Sequence, residues 1–118
     1  MNIEFKAQSV EYADAIDGEI VQVHFIENKN DDVFNPKYCS VGISISYEFP
    51  PEHLTAQYDN AKGEQGEEKI EEYTLKETRI ELWLSNSKII AIDHKADKAT
   101  FKKLSALLAR EVGEPKMV

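Results

Sequence analysis

Few side chains in this sequence have the types and spacing that catalysis requires. The histidines His24, His53 and His94 lie far apart, and no metalloprotease, phosphate-loop or dinucleotide fingerprint occurs. His94 follows Asp93, as in an acid–base pair, but neighbouring residues of a strand point to opposite faces. Cys39 has no neighbouring base or helix N-terminus to activate its thiol. We therefore expect no catalytic residue, no metal site and no cofactor, and hence a protein that is not an enzyme.

The most distinctive segment is YDNAKGEQGEEKIEEY, residues 58–73, which contains two glycines and five glutamates. It is a poor match to a calcium loop, because such a loop needs acids at alternating positions and Lys62 would stand among the ligands. Two interpretations remain open. The segment is either a solvated loop that leads into a strand, or an acidic surface that recognises a partner.

Length and composition predict one domain, residues 1–118, because 42% of the residues are apolar and can form a packed core. No apolar run approaches the length of about 20 residues that a membrane span needs. The first residues lack the basic head and apolar segment of a secretory signal, so we expect none. The single cysteine excludes an internal disulfide and suits a reducing cytoplasm.

The formal net charge of −8 is unevenly distributed along the chain. The first 35 residues carry eight acids and two bases, whereas residues 82–118 carry four acids and seven bases. An acidic protein should repel phosphate backbones and anionic lipid heads, so we expect neither nucleic acid nor a membrane as partner. The charge is compatible with a basic protein partner, and equally with a simple requirement for solubility.

Three segments of the first half alternate apolar and polar residues with the period of two that a strand requires, namely 2–8, 19–27 and 40–49. In the last of them Val41, Ile43 and Ile45 share one face, while Gly42 and Ser44 share the other. This pattern predicts a sheet with one solvent-facing side. The segments DAIDGE and ENKNDDVFNPK predict turns, and a proline pair ends the third strand.

The second half predicts three consecutive strands that form a meander. Residues 71–84, EEYTLKETRIELWL, read as a hairpin with its turn at KET, and KIIAID follows as a further strand. Beyond them, between a predicted N-cap at Asp97 and a C-terminal cap at Gly113, apolar residues recur at helical spacing at Phe101, Leu104, Leu108 and Val112. We therefore predict an α+β fold: an antiparallel sheet of about six strands with one C-terminal amphipathic helix packed on one face.

From Gln57 onward, the order of these features resembles one known group. AQYDN precedes a glycine-containing acidic loop, then IEEYTLKETRIELWL, a short strand, and FKKLSALLAREV as the closing helix. This order is similar to that of the small immunity proteins of bacterial polymorphic-toxin systems, in particular the family numbered ten among them. The resemblance covers about half of the chain.

The resemblance implies a non-enzymatic cytoplasmic protein that binds a cognate toxin domain and blocks it. Toxins that attack nucleic acids tend to be basic around the active site, and an acidic inhibitor would be steered rapidly toward such a nuclease. The expected contact surface combines the acids of residues 58–73 with aromatic anchors. Its members are Tyr58, Asp59, Glu64, Glu67, Glu68, Glu71, Glu72, Tyr73 and Trp83.

Two alternatives from other classes of protein remain. A small-molecule or cation-binding module would use the concave side of the sheet beneath the helix, and a structural subunit would assemble through the edge of the sheet. A homodimer is compatible with the prediction, because one helix leaves part of a six-stranded apolar face uncovered. Trp83 also has two interpretations: it is an exposed anchor, or a core residue if a second layer covers its face.

Overall fold

The computed structural model describes residues 2–15, 20–28, 30, 37–46 and 53–116. Within these residues, the predicted α+β class with one helix is confirmed, but the sheet has eight strands instead of about six and is mostly, not entirely, antiparallel. The elements are β1 (Ile3–Lys6), β2 (Ser9–Ala15), β3 (Ile20–Ile26), β4 (Ser40–Ser46), β5 (Thr55–Asp59), β6 (Gln65–Lys76), β7 (Arg79–Leu84), β8 (Ile89–Asp93) and α1 (Lys98–Glu111).

The strand order is β1-β8-β7-β6-β5-β4-β3-β2, and every pair is antiparallel except β1 with β8. The two end strands are consecutive in the chain, separated only by Ala7 and Gln8. The Ala7 N–H donates to the Asp93 carbonyl (2.7 Å), and the Gln8 N–H donates to the Ile26 carbonyl (2.8 Å). The sheet is open, but it bends until both of its ends meet at this corner.

A second corner lies within β6, the longest strand. Residues 65–69 pair with β5, residues 70–76 pair with β7, and a bulge interrupts the register between Ile70 and Glu72. Bulges bend strands and allow one strand to pass between two packed layers. We call β1, β8, β7 and residues 70–76 the β7–β8 half of the sheet, and β2 to β5 with residues 65–69 the β3–β4 half.

One hydrophobic core lies inside the bend. The alternating inward residues of both halves belong to a single cluster, in which Val23, Phe25, Ile43, Ile80 and Leu82 are 0% exposed. The inner side of the helix completes the cluster with Leu104, Leu107 and Leu108. The two halves thus cover each other. The apolar face whose exposure would have been compatible with a homodimer lies inside the fold.

The helix begins and ends at the predicted residues. The Asp97 carboxylate accepts the Thr100 N–H (2.7 Å), as an N-cap does, and Gly113 has a φ of +117° just after the C-cap. Charged side chains occupy its outer side, and Lys103 lies 5.2 Å from the Tyr12 ring centroid on β2. Among the described residues, no helix has both the length and the apolar character needed to span a membrane.

Sequence patterns predicted β1, β3, β4, the β6–β7 hairpin and β8, but they missed β2 and β5. The acidic segment is also not mainly a loop: β5 runs to Asp59 and β6 begins at Gln65, so only five residues connect them. Residues 47–52, with the proline pair, lie outside the described residues. Most of the DAIDGE and ENKNDDVFNPK segments lies outside them as well.

Candidate functional site

The turn between β5 and β6 is ordered by its own side chains. The Asp59 carboxylate accepts the Ala61 N–H (2.7 Å), and the Asn60 side-chain oxygen accepts the N–H groups of Lys62 (2.9 Å) and Glu64 (3.1 Å). Gly63, at a φ of +93°, completes the tight turn. One carboxylate oxygen of Asp59 and the side-chain oxygen of Asn60 thus bind the backbone of the turn and hold its conformation.

Two acids of the predicted contact surface bind the β5–β6 hairpin to the turn between β7 and β8. The Glu64 carboxylate forms an ion pair with Lys88 and accepts a hydrogen bond from the Asn60 side-chain amide (3.3 Å). The Glu68 carboxylate accepts the hydroxyl hydrogen bond of Ser85 (2.9 Å). Both carboxylates point toward the β7–β8 turn and are half-buried, so they position the surface more than they form it.

Three other acids of β6 are exposed, and we call Glu67, Glu71 and Glu72 the acidic strip. The bulge explains two of them, because it inserts Glu71 as an extra residue between the inward-facing Ile70 and Tyr73. Neighbouring residues of a regular strand point to opposite faces, whereas here Glu71 and Glu72 are both exposed. The bulge thus exposes two consecutive carboxylates on β6.

The aromatic residues of the predicted surface separate into two groups. Tyr58 and Tyr73 are core residues, 5% and 2% exposed, so their rings are not available as surface anchors. Their hydroxyls are also bonded: the Asn86 side chain donates to Tyr58 (3.2 Å), and Tyr73 donates to the Gly113 carbonyl (2.8 Å). Burial raises the pKa of Tyr73.

Trp83 lies on the outer face of the β7–β8 half and is partly exposed, opposite Glu72 in the β6–β7 register. The Lys116 ammonium lies 4.6 Å from its ring centroid and 3.2 Å from the Glu72 carboxylate. Of the three predicted anchors, Trp83 is thus the one whose ring reaches the surface. The role of the nine predicted residues as partner contacts remains a prediction.

On the outer face of the β3–β4 half, one row of directly paired residues crosses five strands. Its members are Glu11, His24, Gly42, Gln57 and Glu67. β4 contributes only glycine and serine to this face, so its backbone forms a floor between the longer side chains of β3 and β5. A groove of about 460 Å³ results, walled by His24, Gln57, Asp59 and Glu67 among others.

The lining of this groove is mixed, and it can receive a cationic or hydrogen-bond-donating group, because two carboxylates and two side-chain amides line it. The Asp59 and Glu67 carboxylates keep unused acceptor positions beyond their bonds to Ala61 and Thr55. It does not lie beneath the helix, where the alternative of a ligand-binding module places its site. That space is filled by Leu104, Leu107 and Leu108 of the core.

His94 and Asp93 do not form an acid–base pair. His94 is 2% exposed and lies between Phe25 and Phe101, whereas the Asp93 carboxylate accepts from Arg79 (2.8 Å). The His94 Nδ1 accepts the Ala96 N–H (3.2 Å), so Nε2 carries the proton toward the Lys76 carbonyl (3.2 Å). Burial lowers the pKa of His94, which keeps the ring neutral. It is a structural histidine.

Cys39 is equally unsuited to nucleophilic attack. Burial, and then the nearby Glu27 carboxylate, raise the pKa of its thiol. The Glu27 side chain accepts the Cys39 N–H (2.7 Å), which places negative charge beside the sulfur. Within the described residues, no group of three or more His, Cys, Asp or Glu side chains is arranged to hold a metal ion.

Sequence reasoning missed the groove because it missed β5. The signal was present: in TAQYD, Ala56 and Tyr58 alternate with Thr55, Gln57 and Asp59, which is the period of a strand with one polar face. Once β5 is recognised, the polar residues of β3, β4 and β5 are expected on a common outer face.

Comparison of the sequence with protein-family models and with curated proteins finds no match. The likeness to the immunity family therefore rests on the residue pattern of the C-terminal half alone.

Proposed function

We propose that this chain is a non-enzymatic cytoplasmic immunity protein that neutralises a cognate bacterial toxin domain by binding it through an acidic outer surface. The partner would be a protein with a basic contact region, such as a nuclease domain. The surface would combine the acidic strip with the groove wall at Asp59 and with Trp83.

The observation that carries this proposal is the arrangement of charge around β6. Glu67, Glu71 and Glu72 are exposed on one strand, and the bulge that exposes Glu71 and Glu72 also lies opposite Trp83. Bulges recur where a protein re-aims side chains for function. A partly exposed tryptophan beside exposed carboxylates is suited to a basic protein surface, because it can pack on the aliphatic and cationic parts of Lys and Arg.

The non-enzymatic part of the proposal is supported by the environments of His94 and Cys39. The histidine is buried and held neutral, and the thiol has a raised pKa beside a carboxylate. Neither group lies among the lining residues of the outer groove. The polar side chains of that groove are suited to recognition by charge and hydrogen bonding.

The first experiment is a growth-rescue test. The reading frame adjacent to this gene is expressed in a harmless host, with and without this chain, and growth is followed. We expect toxicity that is relieved only by this chain. A harmless neighbour, or one that stays toxic beside this protein, would contradict the immunity function.

A pair of charge-reversal variants then tests the surface. Glu67→Lys with Glu71→Lys should slow association with the purified toxin about tenfold or more at low salt, because steering depends on local charge. Asp14→Lys with Glu77→Lys is the matched control, since it changes the net charge equally at exposed residues elsewhere. Equal loss in both variants would indicate an effect of net charge only, and no loss in either would exclude the acidic strip.

The outer groove favours one alternative, a small-ligand binding module. Its volume of about 460 Å³ lies within the range of small-molecule sites, and its polar walls would select a cationic ligand. A ligand that binds only the folded state raises the melting temperature. A thermal-shift screen with polyamines and amino acids tests this function, and Gln57→Trp should abolish any shift by filling the groove.

A further inference from the structure

The exposed side of Trp83 already carries a basic side chain of the chain itself. The Lys116 ammonium lies 4.6 Å from the ring centroid and 3.2 Å from the Glu72 carboxylate. An aromatic face and a carboxylate thus act together on one cation. This is the chemistry by which proteins bind lysine and arginine side chains.

Lys116 is held there by its backbone as well as by its side chain. Its N–H donates to the Tyr73 carbonyl (2.6 Å), and the Tyr73 hydroxyl donates to the Gly113 carbonyl (2.8 Å). β6 pairs with β5 only as far as Lys69, so the 113–116 segment lies along the part of the β6 edge that β5 leaves free. Gly113 supplies the turn that directs the chain from α1 to this edge.

The side-chain contacts of Lys116 are of the kind that a partner can replace. The Lys116 and Glu72 side chains are 43% and 54% exposed, so solvent screens the ion pair. An exposed cation–π contact or surface ion pair changes an equilibrium by about two- to fivefold. An arginine can stack its planar guanidinium on the indole and bond the carboxylate with two N–H groups, which lysine cannot do.

We infer that Trp83 and Glu72 form a binding site for an arginine side chain of a protein partner, and that Lys116 is an internal ligand which occupies this site until the arginine displaces it. The inference rests on the proposed function, because it identifies the group on the basic partner that the acidic surface receives. It also predicts that in the free protein the 113–116 segment partly covers the Trp83 ring.

The test uses the isolated full chain, so its outcome does not depend on any toxin. Trp83 is the only tryptophan, and its fluorescence therefore reports this site. Lys116→Ala should raise the acrylamide quenching constant and tighten the binding of Nα-acetyl-arginine amide about two- to fivefold. Lys102→Ala, which removes the same charge from an exposed position of α1, should change neither.

Two further measurements test whether Trp83 and Glu72 bind an arginine side chain. Adding Glu72→Gln to Lys116→Ala should reverse the tighter arginine binding, and Nα-acetyl-glutamine amide, which is neutral, should leave the fluorescence unchanged. Quenching that is equal in the wild type and Lys116→Ala would overturn the cover. An equal response to the arginine and glutamine probes would overturn the arginine site. Either result leaves the growth-rescue test unaffected.

Discussion

Replacement of Gly66 by alanine should destabilise the hairpin that presents the acidic strip. Gly66 lies opposite Tyr58 in the β5–β6 ladder, and the Tyr58 ring lies across it. A Cβ atom at this position would stand 2.6 Å from the Tyr58 hydroxyl oxygen and 2.9 Å from Cζ. Both distances are shorter than real Cβ contacts, so the ring or the strand must move.

The ring has little freedom to move. Tyr58 is 5% exposed, its hydroxyl accepts a hydrogen bond from Asn86 (3.2 Å), and the Lys88 ammonium lies 5.1 Å from its centroid. Overpacking of this kind costs about 1–3 kcal/mol, and alanine recovers about 0.5–1 kcal/mol over glycine in a strand. The difference of the two central values, about 1.3 kcal/mol, corresponds to a melting temperature about 5 °C lower for a chain of this size.

Urea unfolding followed by circular dichroism measures this loss as a shift of the midpoint at constant m-value. Gly42→Ala is the matched control, because Gly42 is also a strand glycine but faces outward. Its added Cβ would lie 3.3 Å from Nδ1 of His24, a partly exposed ring that can rotate away. We expect Gly42→Ala to change the unfolding free energy by no more than about 0.5 kcal/mol.

A double-mutant cycle identifies the contact responsible. Tyr58→Phe removes the hydroxyl oxygen, which is the atom nearest to the added Cβ, and with it the hydrogen bond from Asn86. The double variant with Gly66→Ala should therefore lose less unfolding free energy than the sum of the losses in the two single variants. Wild-type stability of Gly66→Ala, or strict additivity in the cycle, would refute the proposed clash.

Three further predictions concern titratable groups. The pKa of His94 is lowered in the folded protein, so the unfolded chain binds this proton first as the pH falls. The free energy of unfolding should therefore decrease as the pH falls from 6.5 toward the folded-state pKa, by up to about 1.4 kcal/mol per pH unit. His94→Gln should flatten this dependence in urea titrations at several pH values. The Cys39 thiol should react slowly with a disulfide reagent at neutral pH and rapidly in urea, because burial raises its pKa; equal rates would contradict this. Because hydrogen bonds from the helix N-terminus lower the pKa of Asp97, the capping contribution exists above pH 3.8 and is lost as pH falls further. Asp97→Asn, which keeps an acceptor oxygen but carries no charge, should therefore lower the melting temperature at neutral pH, and its difference from the wild type should disappear in acid.

The helix and most strands were predictable because their signals are local. Asp97 and Gly113 mark the ends of α1 within a few residues of the apolar stripe they enclose. The alternation in β3, β4 and β7 depends only on neighbours two positions away. β5 carried the same signal, but the glycines and acids that follow it suggested a loop.

The faces of β6 were not predictable, because the bulge changes the parity of the strand. Ile70 and Tyr73 are both inward although three residues apart, and only the extra residue Glu71 makes this compatible with a strand. The predicted surface therefore included Tyr73, which is buried. Tyr58 was assigned to the surface as well, because β5 was not recognised as a strand, and its ring is buried.

By itself, then, the sequence determined the α+β class, the caps of the helix, the C-terminal meander and the acidity of β6, since each depends on residues close together in the chain. Only the tertiary structure decided which aromatic side chains reach solvent and where the groove lies. Both depend on the bend that brings β1 and β2 to one corner and on the pairing of distant strands. The position of Lys116 over Trp83 has the same origin, because a contact across 33 residues exists only once the fold directs the chain back to β6.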